Sequence, residues 1–248
     1  MGDVRIDLST PAGRRRGRNA GPTIALVALA AIAAAVLGVV YSPLRDDEKT
    51  GPSAVAGLRF WSSGDSTSYY MSVSLTEALT EMGAVPVQPE PEYRQGSGLL
   101  SRDFFDWQTH IANDVAATRP DIVFFMIGAN DARPDIDLDT YRAEVATVMD
   151  SLRDVRYVVW IGQPHMADAG LAEAVLELNR IFEAEAAKRS WVRYVDTWAA
   201  TSDAGGSYAP SLPDEDGIAQ VVRADDGLHF TPEGGERLAR VVLAELLD

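Results

Sequence analysis

A serine, a histidine and an aspartate in this chain are of the types that can make a hydroxyl nucleophilic. Gly64-Asp65-Ser66 lies early in the chain and Asp226-Gly227-Leu228-His229 near its end. A serine hydroxyl is a weak nucleophile at neutral pH, so acyl transfer needs a base within hydrogen-bond reach and a third group to orient that base. His229, with a carboxylate three residues before it, supplies such a pair; the two other histidines, His110 and His165, have no such neighbour. Between the two fragments, Gly128-Ala129-Asn130-Asp131 directly follows the apolar run 122–127. The Asn130 amide is a donor that can face a developing oxyanion, and Gly128 lets a substrate approach the backbone. Taken singly, each fragment has an ordinary reading as a turn, a helix cap or a loop. Their order, with each at the end of a predicted strand or the start of a helix, argues for a joint site.

Four blocks in sequence, Gly64-Asp65-Ser66, the glycine of Ser97-Gly98-Leu99, Gly128-Ala129-Asn130-Asp131 and Asp226-Gly227-Leu228-His229, resemble those of the SGNH (GDSL-type) hydrolase family. The resemblance covers roughly residues 57–248, and the stretches 97–107 and 223–232 look like an envelope-associated subgroup of poorly defined substrate. It implies Ser66 as nucleophile, His229 as base and Asp226 as the group that orients it. The backbone N–H groups of Ser66 and Gly98 and the side-chain amide of Asn130 would bind the oxyanion. Gly96 is also in reach of the second donor role, and the Ser-Gly-Leu context selects Gly98. Asp65, Gly128 and Asp131 belong to the motifs as supporting residues, the two aspartates as turn stabilisers. Trp107 and His165 are candidates for the pocket wall, each with an ordinary packing role as the alternative. Ser66 is followed by Thr67 and Ser68, so the Gly-x-Ser-x-Gly elbow of lipase-type α/β-hydrolases is absent.

The intervening sequence alternates strand and helix patterns. Residues 58–62, 84–88, 121–127, 157–161 and 192–195 read as strands, and 66–82, 107–119, 139–152 and 167–188 as helices. A last helix begins with Thr231 as cap and Pro232 at its first position, and the Pro-, Gly- and Ser-rich segment 89–102 reads as a loop. Such alternation predicts an α/β fold: a three-layer α/β/α sandwich around a mostly parallel five-stranded sheet, flavodoxin-like as the resemblance implies. Ligands of such sheets bind beyond the carboxyl ends of the strands, where Ser66, Asn130 and the Asp226/His229 loop all fall.

The N-terminus suggests where the site works. Arg14, Arg15, Arg16 and Arg18 precede an uncharged apolar run at 23–41, close to the roughly 20 residues that span a bilayer. The expected organisation is a cytoplasmic basic segment (1–22), one transmembrane signal anchor (23–41), a tether (42–56) and an extracytoplasmic catalytic domain (57–248). Secretion after signal cleavage is the competing reading. Residues 1–50 hold 7 basic and 5 acidic side chains, leaving 15 against 32 in the rest, which disfavours nucleic acid as a partner. There is no cysteine, and the three histidines are scattered without metal-ligand spacing, so neither a metal nor another cofactor is expected. Asp135-Ile136-Asp137-Leu138-Asp139 opens like a calcium loop, but Thr140 replaces the required glycine and Ala146 the closing carboxylate, leaving Asp139 as a helix cap.

The expected activity is therefore a membrane-anchored serine esterase that cleaves O-acyl esters, acetyl or another short acyl, from envelope or extracellular carbohydrate. An O-acyltransferase, a lipase- or thioesterase-like hydrolase and a non-catalytic envelope-binding module are the alternatives. The oligomeric state is open.

Overall fold

The computed structural model describes residues 54–247; the expected basic segment (1–22), the expected anchor (23–41) and most of the expected tether (42–56) lie outside the described residues. Among the described residues no helix is long and apolar enough to cross a membrane. Six strands form the main sheet: β1 (Arg59–Asp65), β2 (Val85–Pro86), β3 (Glu92–Arg94), β4 (Ile122–Met126), β5 (Tyr157–Ile161) and β6 (Val192–Val195). They run in the order β2-β1-β4-β5-β6 with every pair parallel, and β3 extends the same edge by pairing with β1 above β2. A small antiparallel hairpin, β7 (Ser211–Pro213) and β8 (Ala219–Val221), stands apart.

Side chains alternate across the central strands, so successive residues enter opposite cores. Ile122, Phe124 and Met126 meet helices α1 (Tyr69–Glu81) and α5 (Pro232–Leu247), which bury Met71, Leu75, Leu79, Leu238 and Val242. Val123, Phe125 and Ile127 meet α2 (Trp107–Thr118), α3 (Leu138–Ser151) and α4 (Ala169–Ala186), which bury Ile111, Val145, Val148, Leu178 and Phe182. The two layers and the sheet make the expected sandwich. Phe124 and Phe125 are fully buried on opposite faces, each contributing about 1.5–3 kcal/mol by area.

Several expectations are corrected. The sheet has six strands, because the segment read as a loop contributes β3; three residues preceded by Pro89 and Pro91 carry no periodicity to betray a strand. β1 runs to Asp65 rather than stopping at Ser62. A Cβ at Gly64 would lie 2.0 Å from the Met126 carbonyl oxygen, so glycine is what allows β1 to stay paired with β4 up to the nucleophile. The helix expected from Ser66 starts as a 3₁₀ turn over Ser66–Ser68 before α1 begins. Helix α3 is capped by Asp137, not Asp139, with its carboxylate accepting from the Asp139 and Thr140 N–H groups. Thr231 caps α5 as expected, its hydroxyl accepting from Gly234 N–H at 3.1 Å.

Candidate active site

Ser66 is delivered by the end of β1, where Asp65 is extended and its side chain caps the following turn. Asp65 is fully buried and uses both oxygens. Oδ1 accepts from the Thr67 N–H at 2.9 Å and the Thr67 hydroxyl at 2.5 Å, and Oδ2 accepts from the Gly128 and Ala129 N–H groups at 3.0 and 3.2 Å. One carboxylate thus ties the nucleophile's turn to the loop after β4. Asp131 repeats the device one step further: Oδ2 accepts from Leu99 N–H at 2.7 Å and Oδ1 from Leu100 N–H at 3.1 Å. Both aspartates are therefore braces between loops, more than the local turn stabilisers their positions suggested. Burial pushes both carboxyls above the ordinary value, against the hydrogen bonds each accepts; the neighbouring Asp65 adds to the rise at Asp131.

The loop before α5 brings the base. His229 Nε2 lies 2.8 Å from Ser66 Oγ, and its Nδ1 lies 2.6 Å from Asp226 Oδ2. Asp226 Oδ1 also accepts from the Leu228 and His229 N–H groups, both at 2.9 Å. Burial works against ionisation of Asp226, but hydrogen bonds from the His229 ring and these two N–H groups outweigh it and bring the carboxyl down to about 2. Ser66 lies 160 and 163 positions before Asp226 and His229 in the sequence; the fold joins the three as a continuous hydrogen-bonded chain.

The other donors are close at hand. Asn130 is exposed and gives one N–H to the Ser97 carbonyl at 2.9 Å, which orients the amide and leaves its second N–H for another acceptor. The Gly98 N–H makes no hydrogen bond among the described residues. A Cβ at Gly98 would fall 2.3 Å from Asp131 Oδ1, whereas Gly96 turns in open space at φ +73°. Of the two glycines, Gly98 is the one built into the brace beside Asn130. Ser66, first in its turn, has an N–H with no acceptor inside that turn.

Two pocket candidates are displaced. Trp107 is 1% exposed, donating from Nε1 to Ser97 Oγ at 3.0 Å and packing on Phe125, so it supports the loop from beneath instead of lining a pocket. His165 stacks on Trp198 at 4.1 Å, with Nδ1 3.0 Å from Ser202 Oγ, and does not reach the Ser66 pocket. Burial, with the Arg223 charge behind it, lowers its pKa. The pocket of about 220 Å³ is lined by Ser66 and His229 together with Tyr69, Tyr70, Tyr93 and Gln95. Tyr69 and Tyr70 follow Ser66 by three and four residues, one helical turn, a spacing that could have flagged them.

Arg223 carried no such signal. It is 1% exposed with no carboxylate in ion-pair range among the described residues, and its Nη2 donates to the carbonyls of His165 and Leu228, each at 3.0 Å. Its guanidinium lies 4.3 Å from the Phe230 ring. Burial pushes it down to about 10, so it remains a cation at neutral pH and pins the loop that carries His229.

Away from this site, Glu92, His110 and Asp114 are the group of metal-ligating type among the described residues. They satisfy one another and their neighbours: Glu92 pairs with His110 at 2.9 Å and Arg94 at 2.6 Å, and Asp114 accepts from Gln88 at 3.2 Å. The group clamps β3 to α2.

The parallel sheet carries a serine, a histidine and an aspartate at its carboxyl edge, the arrangement expected from the resemblance to the SGNH (GDSL-type) hydrolases. Residues 59–245 match the family model described as a protein of unknown function (DUF459), and the chain belongs to that family. No curated protein matches it. Among solved structures, the acetylxylan esterase Axe2 from Geobacillus stearothermophilus is similar in fold, with a TM-score of 0.60 at 19% identity over 78% of this chain and 96% of that one. Variants of Axe2 described as catalytic mutants replace a serine, an aspartate and a histidine three positions after that aspartate. A protein described as a lipolytic member of the G-D-S-L family, from Desulfitobacterium hafniense, aligns with a TM-score of 0.55 at 15% identity over 77% of this chain and all of that one.

Proposed function

We propose that this protein is a serine ester hydrolase that removes a short acyl group, acetyl foremost, from cell-envelope or extracellular carbohydrate, held at the membrane by residues 23–41 with residues 57–248 outside. The observation that carries the reading is the contact chain from Asp226 Oδ2 to His229 Nδ1 at 2.6 Å and from His229 Nε2 to Ser66 Oγ at 2.8 Å. Ser66 Oγ attacks the ester carbonyl as His229 Nε2 takes its proton. The Asp226 carboxylate keeps Nδ1 protonated and stabilises the imidazolium. The carbonyl oxygen, now negative, faces the Gly98 N–H, the second Asn130 N–H and the Ser66 N–H. His229 then protonates the departing sugar oxygen, and water, deprotonated by the same imidazole, releases the acyl group.

The site's openness favours hydrolysis over transfer: the His229 and Asp226 side chains are 32% and 49% exposed, so water reaches the acyl-enzyme freely. A pocket of about 220 Å³ lies below the roughly 300–1,000 Å³ of drug-sized sites and favours a short acyl group over a lipid chain.

The test is turnover by the full-length chain in mild detergent on acetylated xylan, acetylated peptidoglycan and p-nitrophenyl esters of increasing chain length, beside Ser66→Ala. Wild type should prefer acetyl, and the variant should lose on the order of 10⁶-fold in kcat. Equal turnover by the two proteins would refute Ser66 as the nucleophile. Protease accessibility in fractionated cells tests the topology; a C-terminal domain found intact in the cytosol would overturn export.

A further inference from the structure

Three tyrosines line the Ser66 pocket, Tyr69 in contact with both Tyr70 and Tyr93. Tyr69 and Tyr70 open α1 and Tyr93 lies in β3, their ring centres separated by 4.9 Å (Tyr69 to Tyr70) and 4.7 Å (Tyr69 to Tyr93). Each is between 36% and 40% exposed. Helix α1 is anchored through Met71, Leu75 and Leu79, and β3 through the Glu92–His110 pair and the stacking of Arg94 on Phe105 at 5.0 Å. Aromatic faces left in water at the rim of a cleft mark a contact surface.

We infer that Tyr69, Tyr70 and Tyr93 form a stacking subsite for the sugar ring of an uncharged acylated glycan, an inference that rests on the ester hydrolase reading. A pyranose presents a patch of C–H bonds on its face and hydroxyls around its edge. A tyrosine presents the complementary pair, an apolar face and a hydroxyl that both donates and accepts. The rings are tilted by 59° and 52°, so they form an angled trough rather than a flat wall, and a ring seated in it turns one edge toward Ser66. The Gln95 amide on the same pocket offers donors and an acceptor to sugar hydroxyls. The acyl carbonyl lies at Ser66 and the sugar ring over the tyrosines that line the same pocket. The 15 basic against 32 acidic side chains after residue 50, a net of −17, repel polyanionic glycans and favour a neutral one.

The test uses the full-length protein and its Tyr69→Ala, Tyr93→Ala, Tyr69→Phe and Tyr93→Phe variants. The ratio of kcat/KM for an acetylated xylo-oligosaccharide to that for triacetin should fall about tenfold or more in the alanine variants, the scale of losing one or two aromatic contacts, and be largely retained in the phenylalanine ones. Because it is a ratio, a partly unfolded variant lowers both numbers alike and leaves it unmoved. In the Ser66→Ala background, retardation by acetylated xylan in affinity electrophoresis should disappear with Tyr69→Ala or Tyr93→Ala. An unchanged ratio in the presence of Ser66-dependent turnover overturns the subsite alone. A larger loss on p-nitrophenyl decanoate than on the glycan also overturns it, making the tyrosines a surface for acyl chains. Tyrosine-dependent retardation in a protein whose wild type cleaves no ester supports the subsite and refutes the hydrolase reading.

Discussion

Replacing Asp65 with asparagine keeps the shape of the side chain and removes one acceptor, which makes it a sharp probe of how the site is held together. The carboxylate's two oxygens serve four donors, in pairs: Thr67 N–H and hydroxyl on one, Gly128 and Ala129 N–H on the other. An asparagine oxygen can serve only one pair. The Thr67 hydroxyl can rotate and accept, but backbone N–H groups cannot, so in the better orientation the new amide still confronts buried donors with a donor. At about 1–3 kcal/mol for each orphaned buried group, losing one to two partners costs about 1–6 kcal/mol, a large part of the 5–15 kcal/mol that holds a typical domain. Guanidinium chloride unfolding, followed by the five tryptophans, all between residues 61 and 198, measures it. The pH dependence is the sharper check. Burial raises the folded Asp65 pKa, so its contribution is fully present below the unfolded value of about 3.9 and is lost as pH rises through the folded value. Asparagine does not titrate. The stability gap between wild type and variant should therefore widen as pH is lowered from 7 toward 4. A gap that narrows would show that hydrogen bonds to the ionised form outweigh burial and would refute the reasoning.

Two further outcomes follow from the loop that carries His229. Arg223→Met removes the donor to the His165 and Leu228 carbonyls together with a buried, unpaired charge, so kcat should fall about tenfold or more with KM little changed, while the unfolding free energy changes by about 1 kcal/mol or less; equal losses in stability and turnover would mean that the residue is only structural. Asp226→Asn should cut kcat by about 10⁴-fold at neutral pH by leaving the wrong imidazole tautomer. Because the folded Asp226 pKa is lowered to about 2, its stabilising contribution is present above the ordinary carboxylate range and is lost as pH falls through about 2. The stability difference between wild type and Asp226→Asn should thus shrink between pH 4 and pH 2, measured by thermal unfolding; a difference that grows there would refute the assignment.

The sequence carried the chemistry and the alternation of strands and helices because both are local. A carboxylate three residues before a histidine, an apolar run ending in Gly128, and the Thr231-Pro232 start of α5 are each set by backbone geometry within a few residues, and each is found where its pattern predicted. Boundaries were less secure wherever a distant partner decides them: β1 continues to Asp65 because Gly64 fits beneath Met126, and β3 exists only because β1 offers it an edge. What tertiary structure alone decided is the meeting of Ser66 with His229, the lacing of three loops through Asp65 and Asp131, the burial of Arg223 behind the base, the retreat of Trp107 into the core and the gathering of Tyr69, Tyr70 and Tyr93 around the pocket. Each of these depends on contacts between segments tens to more than a hundred residues apart, and no periodicity along the chain encodes such a distance; only the packing of two helical layers on one parallel sheet brings those segments to a common edge.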